Sequence, residues 1–258
     1  MSFLIKNLKS ISNNKYYIIR TGDFAINANK KLLYSSFAIM LCLEEYYNTC
    51  RCECFKIMIG STLIWSIIEY LLYITNTRII KPMFITYNSM IIEIPKFMAL
   101  FLQGLQEGGV VTTFGLYFGD RLFNYKYTIL YNIFMINMVL NMNYKQTNSH
   151  ILSKRHVNTA SSLLLMTIVT IYNISCLYRY PEHNYRSLTM CISMFYMSTI
   201  WTIMSYYKGF RKVEVMVYNN YQYTSMVGDI SYSIYVLGYD VIFEICSAYL
   251  TFYNLFII

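Results

Sequence analysis
The chain has 258 residues, of which 56% are hydrophobic and 13% charged, and its mean hydropathy is +0.37. A soluble domain carries nearer a quarter charged residues, so a soluble globular enzyme, a disordered chain and a disulfide-dense secreted scaffold (seven Cys) are excluded together. The net charge of +8 comes mostly from cations between apolar runs, which points to the anionic cytoplasmic leaflet of a membrane as partner and not to nucleic acid.

Residues 1–31 are basic, with Lys6, Lys9, Lys15, Arg20, Lys30 and Lys31 against Asp23 alone. They lack the apolar core and small-residue cleavage site of a signal peptide. Leu4, Leu8 and Ile11 share a helical face, so the segment reads as an interfacial helix or, equally, as a solvated cytoplasmic tail.

Apolar runs follow at 32–47, 57–75, 97–119, 127–142, 161–178, 188–207 and 230–258. A span needs about 20 residues. The expected fold is therefore all-α: a polytopic bundle of about seven transmembrane helices, with 32–258 forming one domain. Glu44 and Glu45 close the first run early, and Asn132, Asn137 and Asn141 punctuate the fourth. Pro95 breaks a helix, so the third span is placed after it, at 97–119. Half of the ten glycines lie there. Gly104, Gly108, Thr112, Gly115 and Gly119 form one helical stripe, the pattern of close backbone contact between membrane helices. Gly238 marks a kink site in the last run.

With seven spans, the loops at 1–31, 76–96, 143–160 and 208–225 share one side and hold 15 of the 21 Lys and Arg residues. The positive-inside rule then puts the N-terminus in the cytoplasm. This sense is opposite to that of G-protein-coupled receptors and ordinary microbial rhodopsins. The sequon at Asn173 lies inside a span and is expected to stay unmodified. The abundance of Phe, Tyr, Met, Ile, Asn and Lys marks an AT-rich genome, of the kind found in large DNA viruses and protists.

Chemistry-bearing residues are few. "TLIWSIIEYLLYITNTR" resembles the start of the fatty-acid hydroxylase and sterol desaturase pattern. Those enzymes need many histidines, and this chain has three, His150, His156 and His183, all in loops. Nucleophile elbow, P-loop, dinucleotide and HExxH motifs are absent. No catalytic residue, cofactor or metal is expected, and the chain reads as no enzyme. Cys50, Cys52 and Cys54 lie on one side of an extended strand. They can be ordinary juxtamembrane cysteines, a disulfide, acylation sites or three ligands of a soft metal that lacks its fourth.

The sharper signal is acidic. Glu69 lies in span two, Glu107 in span three, and Asp229, Asp240 and Glu244 share a face of span seven. The spans offer almost no Lys or Arg to pair with them. Unpaired buried carboxylates are either protonated or neutralised by a bound cation. Glu69, Glu107, Asp240 and Glu244 are thus the candidate proton or cation site, in a channel or transporter. The alternative is polar packing in a structural or interaction protein of a membrane, with homo-oligomerisation left open.

The inverted seven-helix topology, the length and Glu107 in span three resemble the heliorhodopsins. "GDISYSIYVLGYD" at the start of span seven and "INMVLN" at 136–141 are similar to short stretches of that family. The resemblance implies Glu107 at the place of the retinal counterion. It also implies a retinal-binding Lys near position 240, where this chain has Asp240, and residues 226–258 contain no Lys. A retinal Schiff base cannot form there, so the resemblance carries over Glu107 as a buried acid only.

Overall fold
A computed structural model describes residues 14–21, 27–80, 82–88, 90–141, 151–219, 222–227 and 230–258. The proposed interfacial face at Leu4, Leu8 and Ile11, together with Asp23, His150 and Asp229, lies outside them.

Among the described residues there are seven helical bodies: α1 (Ala28–Thr49), α2 (Glu53–Ile74), α3 (96–119), α4 (Tyr125–Asn141), α5 (Ala160–Arg179), α6 (Asn184–Tyr207) and α7 (Ile230–Phe256). Each covers one of the apolar runs. Their ends follow from local chemistry. The Asn27 side chain caps α1 by accepting from Asn29 N at 3.0 Å, and Cys50 closes it in the left-handed region at φ 55°. Thr159 caps α5 through Ser162 N at 3.1 Å. Pro95 stands immediately before α3, where its missing N–H costs nothing. Four helical segments are long and apolar enough to cross a membrane: α2, α5, α7, and α6 with the short turn before it. Only 11% of the most apolar stretch of α5 is buried within the protein, and Leu164, Ile168, Ile171 and Ile174 lie exposed along it. Such a face calls for lipid, not water, as its solvent.

The all-α expectation needs correction. Strands β1 (Lys15–Thr21), β2 (Arg78–Ile80), β5 (Ile151–His156), β6 (Arg211–Asn219) and β7 (Gln222–Val227) form a five-stranded antiparallel sheet in the order β2-β5-β1-β6-β7. Strands β3 (Phe84–Tyr87) and β4 (Met90–Glu93) form a separate hairpin. The chain returns to the sheet after every second helical body, so the four long basic loops meet there. Lys15–Thr21, read from sequence as tail, is the middle strand. Tyr16, Ile18, Val213 and Val215 line the sheet's inner face and pack on Val236 and Leu237 of α7. The physical reason is visible in "RKVEVMV": apolar and charged residues alternate with period two, giving one strand face to the core and the other to solvent.

The glycines of α3 divide between two neighbours. A Cβ on Gly104 would meet Ser66 of α2 at 2.1 Å, and one on Gly108 would meet the Ser61 carbonyl at 2.7 Å. Those on Gly115 and Gly119 would meet Met194 at 2.5 Å and the Met190 backbone at 2.8 Å, both on α6. Thr112, in the same stripe, shares a 2.9 Å hydrogen bond with Ser61. Helix α3 is therefore packed at backbone distance on both sides, which fixes where its acid points.

Candidate functional site: a charged chamber under the sheet
Two helices depart from α geometry, each where its acids lie. In α3 the segment Leu105–Val110 is π-helical and contains Glu107. In α7 the segment Asp240–Ser247 is π-helical and contains Asp240 and Glu244. Such wide turns are frequent at functional sites. Gly238 lies just before the second; a Cβ there would meet open space.

The structure brings Glu69, Glu107, Asp240 and Glu244 together. Glu107, Asp240 and Glu244 line a cavity of about 180 Å³ between the sheet and the helices, and Glu69 is fully buried beside it, held by Arg78 of the wall. Their partners come from outside the spans. Arg20 on β1, Arg78 on β2, Arg155 on β5 and Arg211 on β6 all line the same cavity. The register sets Arg20 opposite Arg211 and Arg78 opposite Arg155. Like charges facing across strands are unfavourable, and the helix acids occupy the space between them. Arg78 pairs with Glu69 and lies 3.1 Å from Glu107 Oε2. Arg20 pairs with Glu107. Arg155 Nη2 is 2.7 Å from Asp240 Oδ1 and also pairs with Glu244. Arg211 pairs with Asp240 and donates to Thr202 Oγ1 at 2.9 Å. Trp65 Nε1 donates to Glu107 Oε2 at 3.2 Å, and Gln103 links Glu107 to Lys31.

The sequence does not point to these arginines as partners, because they lie outside the spans that hold the acids. The basic loops are expected to face the leaflet, whereas Arg78 and Arg211 are 3% and 4% exposed. The signal that could have found them is an Arg inside or beside a strand-like run, as in "YYIIR" and "FRKVEVMV". Burial depresses the Arg155 guanidinium, but Glu244 and Asp240 outweigh it, so its affinity for the proton is raised. Arg211 goes the other way. Burial lowers it, and the attraction of Asp240 does not make up for that loss with Arg20 and Arg155 close by.

The remaining sequence candidates lie elsewhere. Cys50 and Cys52 are exposed at the α1–α2 turn, while Cys54 is buried; the turn is not an extended strand, so the three do not share a face. Among the described residues no group of three His, Cys, Asp or Glu side chains is arranged to hold a metal ion. His156 stacks on Tyr17 at the sheet, and His183 shares a 2.8 Å hydrogen bond with Tyr253. Comparison with protein-family models, with curated proteins and with solved structures finds no match.

Proposed function
We propose that the chain is a multi-pass membrane protein of seven spans, with the N-terminus and the sheet on the cytoplasmic side, that handles protons through Glu69, Glu107, Asp240 and Glu244. The supporting observation is that these four carboxylates, from three helices, gather around one chamber under a sheet of four arginines. A free metal cation would meet guanidinium groups on every side of these acids, so the proton is favoured over a metal ion as the species handled. Glu69 Oε2 makes no hydrogen bond, which leaves a lone pair for a proton. The reading includes no catalytic chemistry and no resident cofactor. The proposed heliorhodopsin-like ancestry supplies the topology and the span-three acid, with Asp240 where the lysine would stand.

The test is reconstitution in vesicles carrying an internal pH indicator. Proton flux that weakens with Glu244→Gln is the expected result. Correctly folded protein that passes no protons in either direction overturns the reading, and sodium or potassium flux would move it to cation conduction. A second reading, a non-catalytic structural or interaction protein, is favoured by the pairing itself, since the ion pairs tie the sheet to the bundle. It predicts that Glu244→Gln alters stability alone.

A further inference from the structure
Around the chamber, the charges do not cancel. Arg20, Lys31, Arg78, Arg155 and Arg211 line it, while Glu107, Asp240 and Glu244 line it and Glu69 pairs into its wall, which leaves one positive charge in excess. An uncompensated charge away from water is costly. Two donors are also unused: the Nε–H groups of Arg78 and Arg211 are buried and make no hydrogen bond. Among the described residues, neither the bundle nor the sheet supplies an acceptor for them. The rest of the wall is largely apolar and aromatic, with Trp65, Phe134, Met138, Trp201 and Tyr249, and includes Gln103, Gln106 and Ser198.

We infer that this chamber is a binding site for a small organic monoanion, a carboxylate on a short apolar or aromatic body. The carboxylate supplies the missing negative charge and the acceptor for Arg211, and the apolar body covers the aromatic wall. An inorganic anion would satisfy the first requirement and leave the second. A dry cavity of about 150 Å³ takes a benzene-sized molecule, so a volume of about 180 Å³ fits a single-ring or short-chain acid. This inference goes beyond the proton-handling reading and does not depend on it, because binding is measured at equilibrium and at constant pH with no gradient.

The chain carries its own reporter. Its two tryptophans, Trp65 and Trp201, both line the cavity. The experiment titrates benzoate into the purified full-length protein in detergent and follows tryptophan emission, with benzamide as the neutral isostere and chloride as the bare anion. Saturable change with benzoate alone, weakened at least about tenfold in Arg211→Gln, is the expected result. Should Arg211→Gln fail to fold, Ser198→Leu leaves every charge in place and fills the cavity from α6; it is expected to abolish the response. Equal binding of benzamide overturns the inference by removing the role of charge. Full competition by chloride reduces the site to an inorganic-anion site and overturns it too. So does benzoate binding that survives Ser198→Leu, or the absence of any saturable change.

Discussion

The protein has two charged regions, at opposite ends of its helices, and they are built differently. Under the sheet, the cations stand on strands and the acids on helices, and the partners are far apart in sequence, as in Arg20–Glu107 and Arg155–Asp240. At the other end the charges sit near the short turns. Arg186 grips Asp120 with two bonds of 2.7 and 2.6 Å and reaches Glu53 at 2.5 Å. Arg121 lies 3.6 Å from Glu44 and stacks 3.9 Å above the Tyr117 ring. That end sets Glu44, Glu45, Glu53 and Asp120 around Arg121 and Arg186, with Arg51 and Lys56 close to Glu53, and most of these side chains keep partial exposure, Glu44 as much as 34%. Water absorbs an imbalance there. Under the sheet only Arg20 is comparably open, at 29%, while Arg78, Arg211 and Asp240 are 4–6% exposed, so an unmatched charge is costlier there.

The comparison breaks most directly at its two key arginines. Arg155→Met strands Glu244 in a buried site and leaves Asp240 with Arg211 alone, and removing one partner of such a pair costs about 3–5 kcal/mol. Arg186→Met, at the half-open end, is expected to cost about 1 kcal/mol or less. Denaturant unfolding of both variants in the same detergent checks the ratio. Equal losses would mean that depth does not separate the two regions.

Next in size is the sheet as a frame. Ile18 is 2% exposed on the inner face, beside Arg20 and opposite Val213. Ile18→Ala leaves a cavity costing about 2–4 kcal/mol and is expected to loosen the strand that carries Arg20. A change on the exposed turn beyond α3, such as Phe123→Ala, should cost little, since Phe123 is 81% exposed. If Ile18→Ala is as mild as Phe123→Ala, the sheet is an appendage and the chamber has no floor.

Helix α3 runs between the two regions, so its glycines sharpen the contrast. In Gly108→Ala the new methyl meets the Ser61 carbonyl at 2.7 Å and Trp65 Cβ at 2.8 Å. An expected loss of about 1–3 kcal/mol follows, together with a shift in tryptophan emission, since Trp65 donates to Glu107. Gly238→Ala in α7 meets nothing within 4 Å and should gain up to about 1 kcal/mol from helix propensity. Thermal unfolding of the two variants against the parent separates packing glycines from the merely permissive one.

How much of this was legible beforehand depends on the range of the interaction. The helical bodies follow from runs of apolar residues, a local property, and Pro95 places the start of α3. The four acids are visible because a carboxylate stands out in an apolar run. Their environment is not. Glu107 meets Arg20 and Arg78 only because β1 and β2 lie near each other in one sheet, and that pairing is set by β5 between them, from a loop more than 70 residues further on. Strands of three to nine residues inside basic loops give weak period-two signals, and a loop reading absorbs them. The π-helical turns at Glu107 and Asp240 have no sequence signal at all beyond the nearby glycines.

The smallest expected effect concerns the sheet's His156, which pairs with Tyr17 across β1 and stacks on its ring at 4.8 Å. Burial holds this imidazole below its ordinary value of 6.5; the Asn158 hydrogen bond works against that shift and the Lys15 charge adds to it. A histidine depressed in the folded state adds stability that is fully present above the unfolded value. As pH falls below about 6.5, the unfolded chain takes up the proton first, and stability drains away until the folded imidazole is protonated too. The parent should therefore lose more stability between pH 7.5 and 5 than His156→Gln does, with the carboxylates common to both cancelling in the difference. Identical slopes would show that the imidazole titrates as if in water. The outer face of the sheet at His156 would then be wet, and the dry region would begin only one side chain further along β5, at Arg155.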